Sequence, residues 1–116
     1  MGIYLGEINE ATTARYTATM YDETDAVIDG TALNTLTLTL YEKRTRNIIG
    51  SRNVQNVLNT NGVAVTATGG LTWTVSKADT AIVGNGKIER HVGVFVGTWA
   101  AGAKQFVHEV EMDVVN

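Results

Sequence analysis

The feature that most constrains the fold is the run of alternating threonine and leucine at residues 35–41. Only an extended strand, in which successive side chains point to opposite faces, places all of these leucines on one side. In an α-helix of about 3.6 residues per turn, the same leucines would spread around the axis. We therefore expect a strand whose leucine face lies on a core and whose threonine face meets water or an interface.

The same alternation recurs along the chain between clusters of turn-forming residues. It is found at residues 13–21, 63–67, 71–75, 88–99 and 105–115. About seven strands result, and no long amphipathic helix is present. This pattern predicts an all-β protein, specifically an immunoglobulin-like antiparallel β-sandwich, with a Greek-key barrel as the alternative. The 116 residues fit a single domain (1–116), with residues 1–12 as a candidate N-terminal arm.

The longest predicted hairpin joins residues 88–99 to residues 105–115 around a short loop at residues 100–103. Pairing Trp99 with Lys104 places Phe95 opposite His108 and matches the apolar faces of the two strands. The core face of this hairpin is then predicted to carry His91, Phe95, Trp99, Phe106, His108, Val110 and Met112.

A second hairpin is predicted around Gly69 and Gly70. A three-residue loop at residues 68–70 places Val65 opposite Trp73 on one buried face. After it, Ser76 and Asp79 have the spacing of a capping box, which predicts a single turn bridging two sheets. Between the hairpins, residues 47–50 are predicted as a short strand, and residues 53–58 as one helical turn or an irregular crossover.

Composition excludes many kinds of chemistry. The chain has no cysteine and only two histidines, and its net charge of −3 leaves no basic field for nucleic acid. No apolar run is long enough to span a membrane, and the first ten residues do not have the pattern of a signal peptide. We therefore predict a non-enzymatic protein without cofactor or metal.

The few chemically suggestive groups have simpler interpretations. His91 and His108 share a face but lack a third metal ligand nearby, so both are expected to pack in the core. The acidic residues 22–29 do not match a calcium loop, and Gly84-Asn85-Gly86 lacks the helix that a phosphate loop needs. The basic residues 43–52 lack interleaved aromatic residues, and are expected to be a solvated turn or to face an acidic partner.

The outward faces of the strands provide the candidate interface. A stripe of valines lies opposite the aromatic face of the long hairpin, and a two-layer sandwich can bury only one face of each sheet. The stripe must therefore pack under the N-terminal segment 3–5 or meet another chain. The candidate interface residues are Thr35, Thr37, Thr39, Tyr41, Val92, Val94, Val96 and Val107.

Several segments together resemble the small immunoglobulin-like proteins of tailed bacteriophage virions. The resemblance covers residues 13–116. It rests on TLTLTLYEKRTRNIIGSR, VLNTNGVAV, LTWTVSKADTAIV, ERHVGVFV and HEVEMDVVN. It implies a structural role in the virion after synthesis in the host cytoplasm, and it transfers no functional residues.

The function expected from this resemblance is that of a capsid decoration or cement protein, which stabilises the shell by binding the major capsid protein. The alternatives are a tail, neck or baseplate adaptor that binds other virion proteins, and a carbohydrate-binding adhesive module using Trp73 and Trp99. A homo-oligomer is expected by analogy with symmetric assemblies, and no nucleic-acid or membrane partner is expected.

Overall fold

The structure is a computed structural model that describes residues 3–84 and 86–116. Almost all regular structure in these residues is β-strand, which confirms the all-β prediction. The elements are β1 (Ile3–Asn9), β2 (Ala14–Thr19), a 3₁₀ turn (Gly30–Ala32), β3 (Leu33–Glu42), β4 (Gln55–Asn56), β5 (Val63–Val65), β6 (Gly70–Val75), β7 (Ile88–Trp99) and β8 (Lys104–Val115).

The strands form two sheets that pack face to face as a sandwich, as predicted. One sheet has five strands in the order β1-β8-β7-β3-β4, and the other has three in the order β2-β6-β5. Leu36, Leu38 and Leu40 of β3 are fully buried between the sheets, as the alternation at residues 35–41 predicts. Trp73 of β6 and Phe95 of β7 meet edge to face in the centre of the core, with ring centroids 5.6 Å apart.

The β7–β8 hairpin has the predicted register, with Trp99 opposite Lys104 and Phe95 opposite His108. The four predicted core residues nearest the middle of the sheet, namely His91, Phe95, Val110 and Met112, are buried. Trp99, Phe106 and His108 are only partly buried. They lie toward the hairpin loop, and Phe106 and His108 line a cleft between the two sheets.

The predicted register of the β5–β6 hairpin is wrong. Val63, not Val65, lies opposite Trp73, and the loop closes one residue earlier, at residues 67–69. The N–H of Thr66 donates to the carbonyl of Gly70, and Gly69 has φ +85°, where a Cβ atom would collide with Val27. The residue opposite Trp73 shifts by two positions, from Val65 to Val63, so the same side chains remain on the buried face.

Two shorter predictions also need correction. Residues 47–50 are not a strand, since only Ile48 makes an isolated bridge to Tyr41. For residues 53–58 the helical alternative is wrong, and the segment is irregular as in the other alternative, apart from the two-residue strand β4. Here the neighbouring strand β3 supplies hydrogen-bond partners, so pairing with a long existing strand outweighs local helix formation.

The turn after β6 forms as predicted. The N–H of Ser76 donates to Oδ2 of Asp79 at 2.9 Å, and the N–H of Asp79 donates to Oγ of Ser76 at 3.3 Å. This reciprocal pair closes a single turn, which carries the chain from the three-stranded sheet toward β7 in the other sheet.

The N-terminal strand β1 extends the five-stranded sheet at its edge. It runs parallel to β8 from the Ile3–Val110 pair to the Asn9–Val115 pair, with an irregularity between Tyr4 and Glu7. Gly6 lies in this irregularity with φ +99°, a conformation that favours glycine. Since β1 lies beside β8, it does not cover the valine stripe of β7.

Candidate interaction surface

The outward side of the five-stranded sheet brings the predicted threonine ladder and valine stripe together. Thr37 of β3 lies opposite Val96 of β7, which lies opposite Val107 of β8; in the next row, Thr39 lies opposite Val94. We call this surface the threonine–valine face. It consists of Thr35, Thr37, Thr39, Val94, Val96, Thr98 and Val107.

The threonine–valine face is bordered on β8 by one charged side chain, the half-buried Glu109, which lies opposite Val94. Val107 is 61% exposed, and Val94 and Val96 are half-buried. Thr98 was missed by the sequence analysis. Its hydroxyl lies 2.6 Å from that of Thr35, and the alternation of β7 places it in line with the valines, so extending the same parity by two residues would have found it.

The opposite end of the same sheet side is charged. Arg90 donates to both carboxylate oxygens of Asp113, at 2.8 and 2.9 Å, and its guanidinium lies over the ring of Tyr4. The hydrogen bonds from Arg90 lower the pKa of Asp113, and the bond from the Tyr4 hydroxyl adds to this effect. Lys43 bridges to Glu111 at 3.2 Å. We call these five residues the charged end.

Two predicted interface residues belong with the charged end. Val92 lies between Tyr41 and Glu111 and is only 2% exposed, because the Lys43–Glu111 ion pair joins the strands on either side of it. Tyr41 is half-buried, with the guanidinium of Arg46 5.1 Å from its ring centroid. Val92 is therefore not accessible to a partner. At Tyr41, a partner would meet the Arg46 guanidinium that is stacked on the tyrosine ring.

A cleft of about 500 Å³ opens between β2 and β8, at one side of the sandwich. Tyr16 crosses it, with its hydroxyl 2.6 Å from Nε2 of His108. Burial lowers the pKa of His108 and raises that of Tyr16, so at neutral pH the two groups form an uncharged pair. The remaining lining is mostly apolar and includes Ile3, Ala18, Met20, Leu71, Phe106 and Val107.

A second contact between the sheets is a buried ion pair. Nε of Arg52 lies 2.6 Å from Oδ1 of Asp79, and the two side chains are 7% and 1% exposed. Nη2 of Arg52 also donates to Oδ2 of Asp79, and Nη1 donates to Gln55. The prediction of a solvated turn is wrong for Arg52, and no partner chain is needed, because its guanidinium is buried and donates to Asp79 and Gln55 of the same chain.

His91 extends this polar cluster. Its Nδ1 lies 2.9 Å from the carbonyl oxygen of Asp79, and its Nε2 lies 3.0 Å from Oε1 of Glu89. Burial by itself would raise the pKa of Glu89, but hydrogen bonds from His91 and from the N–H groups of Val83 and Gly84 outweigh it and lower the pKa. We call Arg52, Asp79, Glu89 and His91 the crossover network.

The two histidines are not brought together. They lie four positions apart along the paired β7 and β8 strands, which corresponds to about 13 Å. No cluster of three or more metal-ligating side chains occurs in residues 3–84 and 86–116. His91 packs in the interior as expected, whereas His108 is half-buried at the cleft, and each histidine has its own polar partner.

The other chemically suggestive groups have structural roles. Oδ1 of Asp22 accepts from the N–H and hydroxyl of Thr24, and Asp29 does the same for Thr31. The predicted loop Gly84-Asn85-Gly86 falls partly outside the described residues, and the N–H of Gly84 donates to Glu89.

Neither tryptophan lies free on the surface. Trp73 is fully buried, and Trp99 is half-buried against Phe106, with ring centroids 6.2 Å apart. In the described part of the chain, no helix has the length and apolar character needed to cross a bilayer.

Comparison of the chain with family models, curated proteins and solved structures found no significant match. The resemblance to phage virion proteins therefore stays a prediction.

Proposed function

We propose that this chain is a non-enzymatic structural protein of a bacteriophage virion, made in the host cytoplasm. In this role it is a capsid decoration protein that binds the major capsid protein through the threonine–valine face. The observation that carries the proposal is that the row Thr37–Val96–Val107 is uncharged, and that β1, which lies beside β8, does not cover it.

The chemistry of the face suits a protein partner. Valine methyl groups and threonine hydroxyls together offer apolar contact and neutral hydrogen bonds, and interface centres are generally depleted in charged residues. The charged end borders the face on one side and fixes the orientation of a partner, because like charges placed against it are repelled.

The strand order supports an immunoglobulin-like module. If β1 is taken as an A strand moved to the other sheet and β2 to β8 as strands B to G, the sheets contain A, G, F, C, C′ and B, E, D. The sheets CFG with C′, and B with E and D, are those of a variable-type immunoglobulin sandwich. Such modules use a sheet side or their end loops for assembly.

A binding experiment with capsid shells lacking this protein tests the proposal. Val107→Asp places a charge on the face, and Ile88→Asp is its matched control, since Ile88 is 60% exposed on the same sheet side beyond the charged end. We expect saturable binding of the wild type and of Ile88→Asp, and loss of at least tenfold in affinity for Val107→Asp. Absence of saturable wild-type binding, or equal loss in both variants, would contradict the proposal.

Solution mass distinguishes the alternative of a tail or neck adaptor. A stable closed ring measured by light scattering, together with no binding to shells, would favour the adaptor. A monomer or small oligomer that binds shells supports decoration.

A further inference from the structure

Within the described residues, the outer edge of β2 has a row of backbone hydrogen-bonding groups with no strand partner. The N–H of Met20 donates to the carbonyl of Gly69, on the β6 side. Since backbone groups alternate in direction along an antiparallel strand, those of Arg15, Thr17 and Thr19 point away from β6. No strand in the described residues pairs with this edge of β2.

The first half of β8 has a similar free edge. The carbonyl of Val115 accepts from Glu10 on the β1 side, so odd-numbered residues of β8 direct their backbone groups toward β1. Pairing with β1 begins only at Val110. The backbone groups of Gln105 and Val107 therefore face a position that no described strand occupies.

The two free edges border the same cleft and run in opposite directions. Tyr16 contacts His108, whereas Glu23, further along the chain from β2, contacts Lys104, which precedes His108 on β8. A strand antiparallel to β2 would thus run parallel to β8 and continue the line of β1. The cleft therefore has the direction, the apolar lining and the exposed backbone groups that suit one added strand.

The threonine–valine face is small for a stable interface. Three strands about 4.8 Å apart, with outward side chains about 6.8 Å apart, give a face on the order of 300 Å². A specific complex buries about 800 Å² on each partner. Val107 belongs to both the face and the cleft, so a partner on the face can reach the cleft without a gap.

We propose that the cleft binds an extended arm of the protein that docks on the threonine–valine face, added as a strand antiparallel to β2. The partner's identity rests on the proposed function, whereas the cleft's preference for a strand does not. Every second side chain of the arm is apolar and points into the cleft beside Tyr16, Ala18 and Met20.

Charges at the two ends of the cleft determine the arm's polarity. Asp22, Glu23 and Asp25 lie beyond the end of β2, and among the described residues only Lys104 forms an ion pair with any of them. Arg15 lies at the other end and is exposed. An antiparallel arm therefore carries a basic residue at its N-terminal end and an acidic residue at its C-terminal end.

The test is titration of the isolated protein with the capped peptide Lys-Val-Thr-Val-Thr-Val-Glu, followed by amide NMR and hydrogen exchange. In the proposed register, its valines lie opposite Met20, Ala18 and Tyr16, and its glutamate lies opposite Arg15. We expect saturable shifts at β2 and β8 and at least tenfold slower exchange of the Thr17 and Thr19 amides. The control peptide Glu-Val-Thr-Val-Thr-Val-Lys has the same composition and is expected to bind at least fivefold more weakly.

Two variants at Thr17 distinguish the contribution of its backbone N–H to peptide binding from the contribution of its side chain. Thr17→Pro removes an N–H that faces the cleft and is not used in the β2–β6 ladder, so the fold is kept and peptide binding is lost. Thr17→Val keeps that N–H and is expected to bind like the wild type.

Several outcomes would overturn the proposal. These are absence of saturable binding to the wild type, normal binding by Thr17→Pro, equal binding of the charge-swapped peptide, or shifts confined to the threonine–valine face. Concentration-dependent protection of Thr17 and Thr19 without peptide would identify the occupant as a second copy. Because this test uses no shells, its failure is distinguishable from failure of decoration.

Discussion

The two sheets meet in different ways at the crossover network and at the cleft. At the crossover network, Arg52 and Asp79 are buried and satisfy each other's charges. At the cleft, the uncharged side chains of Tyr16 and His108 join the sheets beside about 500 Å³ of open volume, and the Lys104–Glu23 ion pair nearby is exposed. The comparison indicates that a buried ion pair closes one region of the sandwich, whereas the cleft is available for binding.

The largest expected effect is on the crossover network. Asp79→Ala leaves the Arg52 guanidinium buried without its carboxylate, and the free energy of unfolding is expected to fall by about 3–5 kcal/mol. Urea denaturation at neutral pH measures this change. The control is Lys104→Ala, which breaks an exposed ion pair with Glu23 and should cost less than about 1 kcal/mol. Equal losses in the two variants would mean that the network does not close the sandwich.

Acid should weaken the crossover network through Glu89. Its pKa is lowered in the folded protein, so the folded state binds fewer protons than the unfolded state at acid pH. The resulting stability is present above the unfolded value of about 4.3 and is lost as pH falls through the lower folded pKa. We expect the unfolding free energy of Glu89→Gln to depend less on pH in this window than that of the wild type. Parallel pH profiles for the two proteins would contradict this expectation.

The cleft should respond to acid at a higher pH. Burial lowers the pKa of His108, so its contribution to stability is complete above the unfolded value of about 6.5 and is lost as pH falls through the lower folded pKa. Thermal unfolding at a series of pH values checks this expectation, and His108→Gln should lack the transition. If the variant retains the full transition, another group causes it.

The smallest effect is expected for Tyr16→Phe, which removes only the hydroxyl that contacts His108. A partly buried hydrogen bond between neutral groups contributes about 1 kcal/mol, so the free energy of unfolding should fall by that amount or less. A loss as large as that of Asp79→Ala would show that the cleft contact also holds the sheets together.

Strand register was predictable from the sequence where the alternation of apolar residues and the length of the connecting loop favour the same pairing. The β7–β8 register follows from matching aromatic faces across a short loop. The β5–β6 register did not follow, because a shift by an even number of positions leaves the same faces buried, and alternation alone cannot distinguish the two pairings. At this turn Gly69 lies against Val27, a contact between residues far apart in sequence that no local pattern encodes.

The candidate surfaces were predictable to different degrees. The threonine–valine face follows from residue parity, although its division from the charged end depends on ion pairs across three strands. The Arg52–Asp79 pair joins residues 27 positions apart, and the capping role of Asp79 already accounted for its presence in the sequence. The cleft depends on where β1 starts relative to β8, and no local pattern encodes that offset.

The parallel pairing of β1 with β8 also has a mechanical consequence. Force applied at Ile3 and Val115 pulls the two strands along their length in opposite directions, since these residues lie at opposite ends of the shared ladder. The β1–β8 hydrogen bonds are then loaded in shear and must break together, not one after another as in a peeling hairpin. Tension between these two ends is therefore shared along most of a strand.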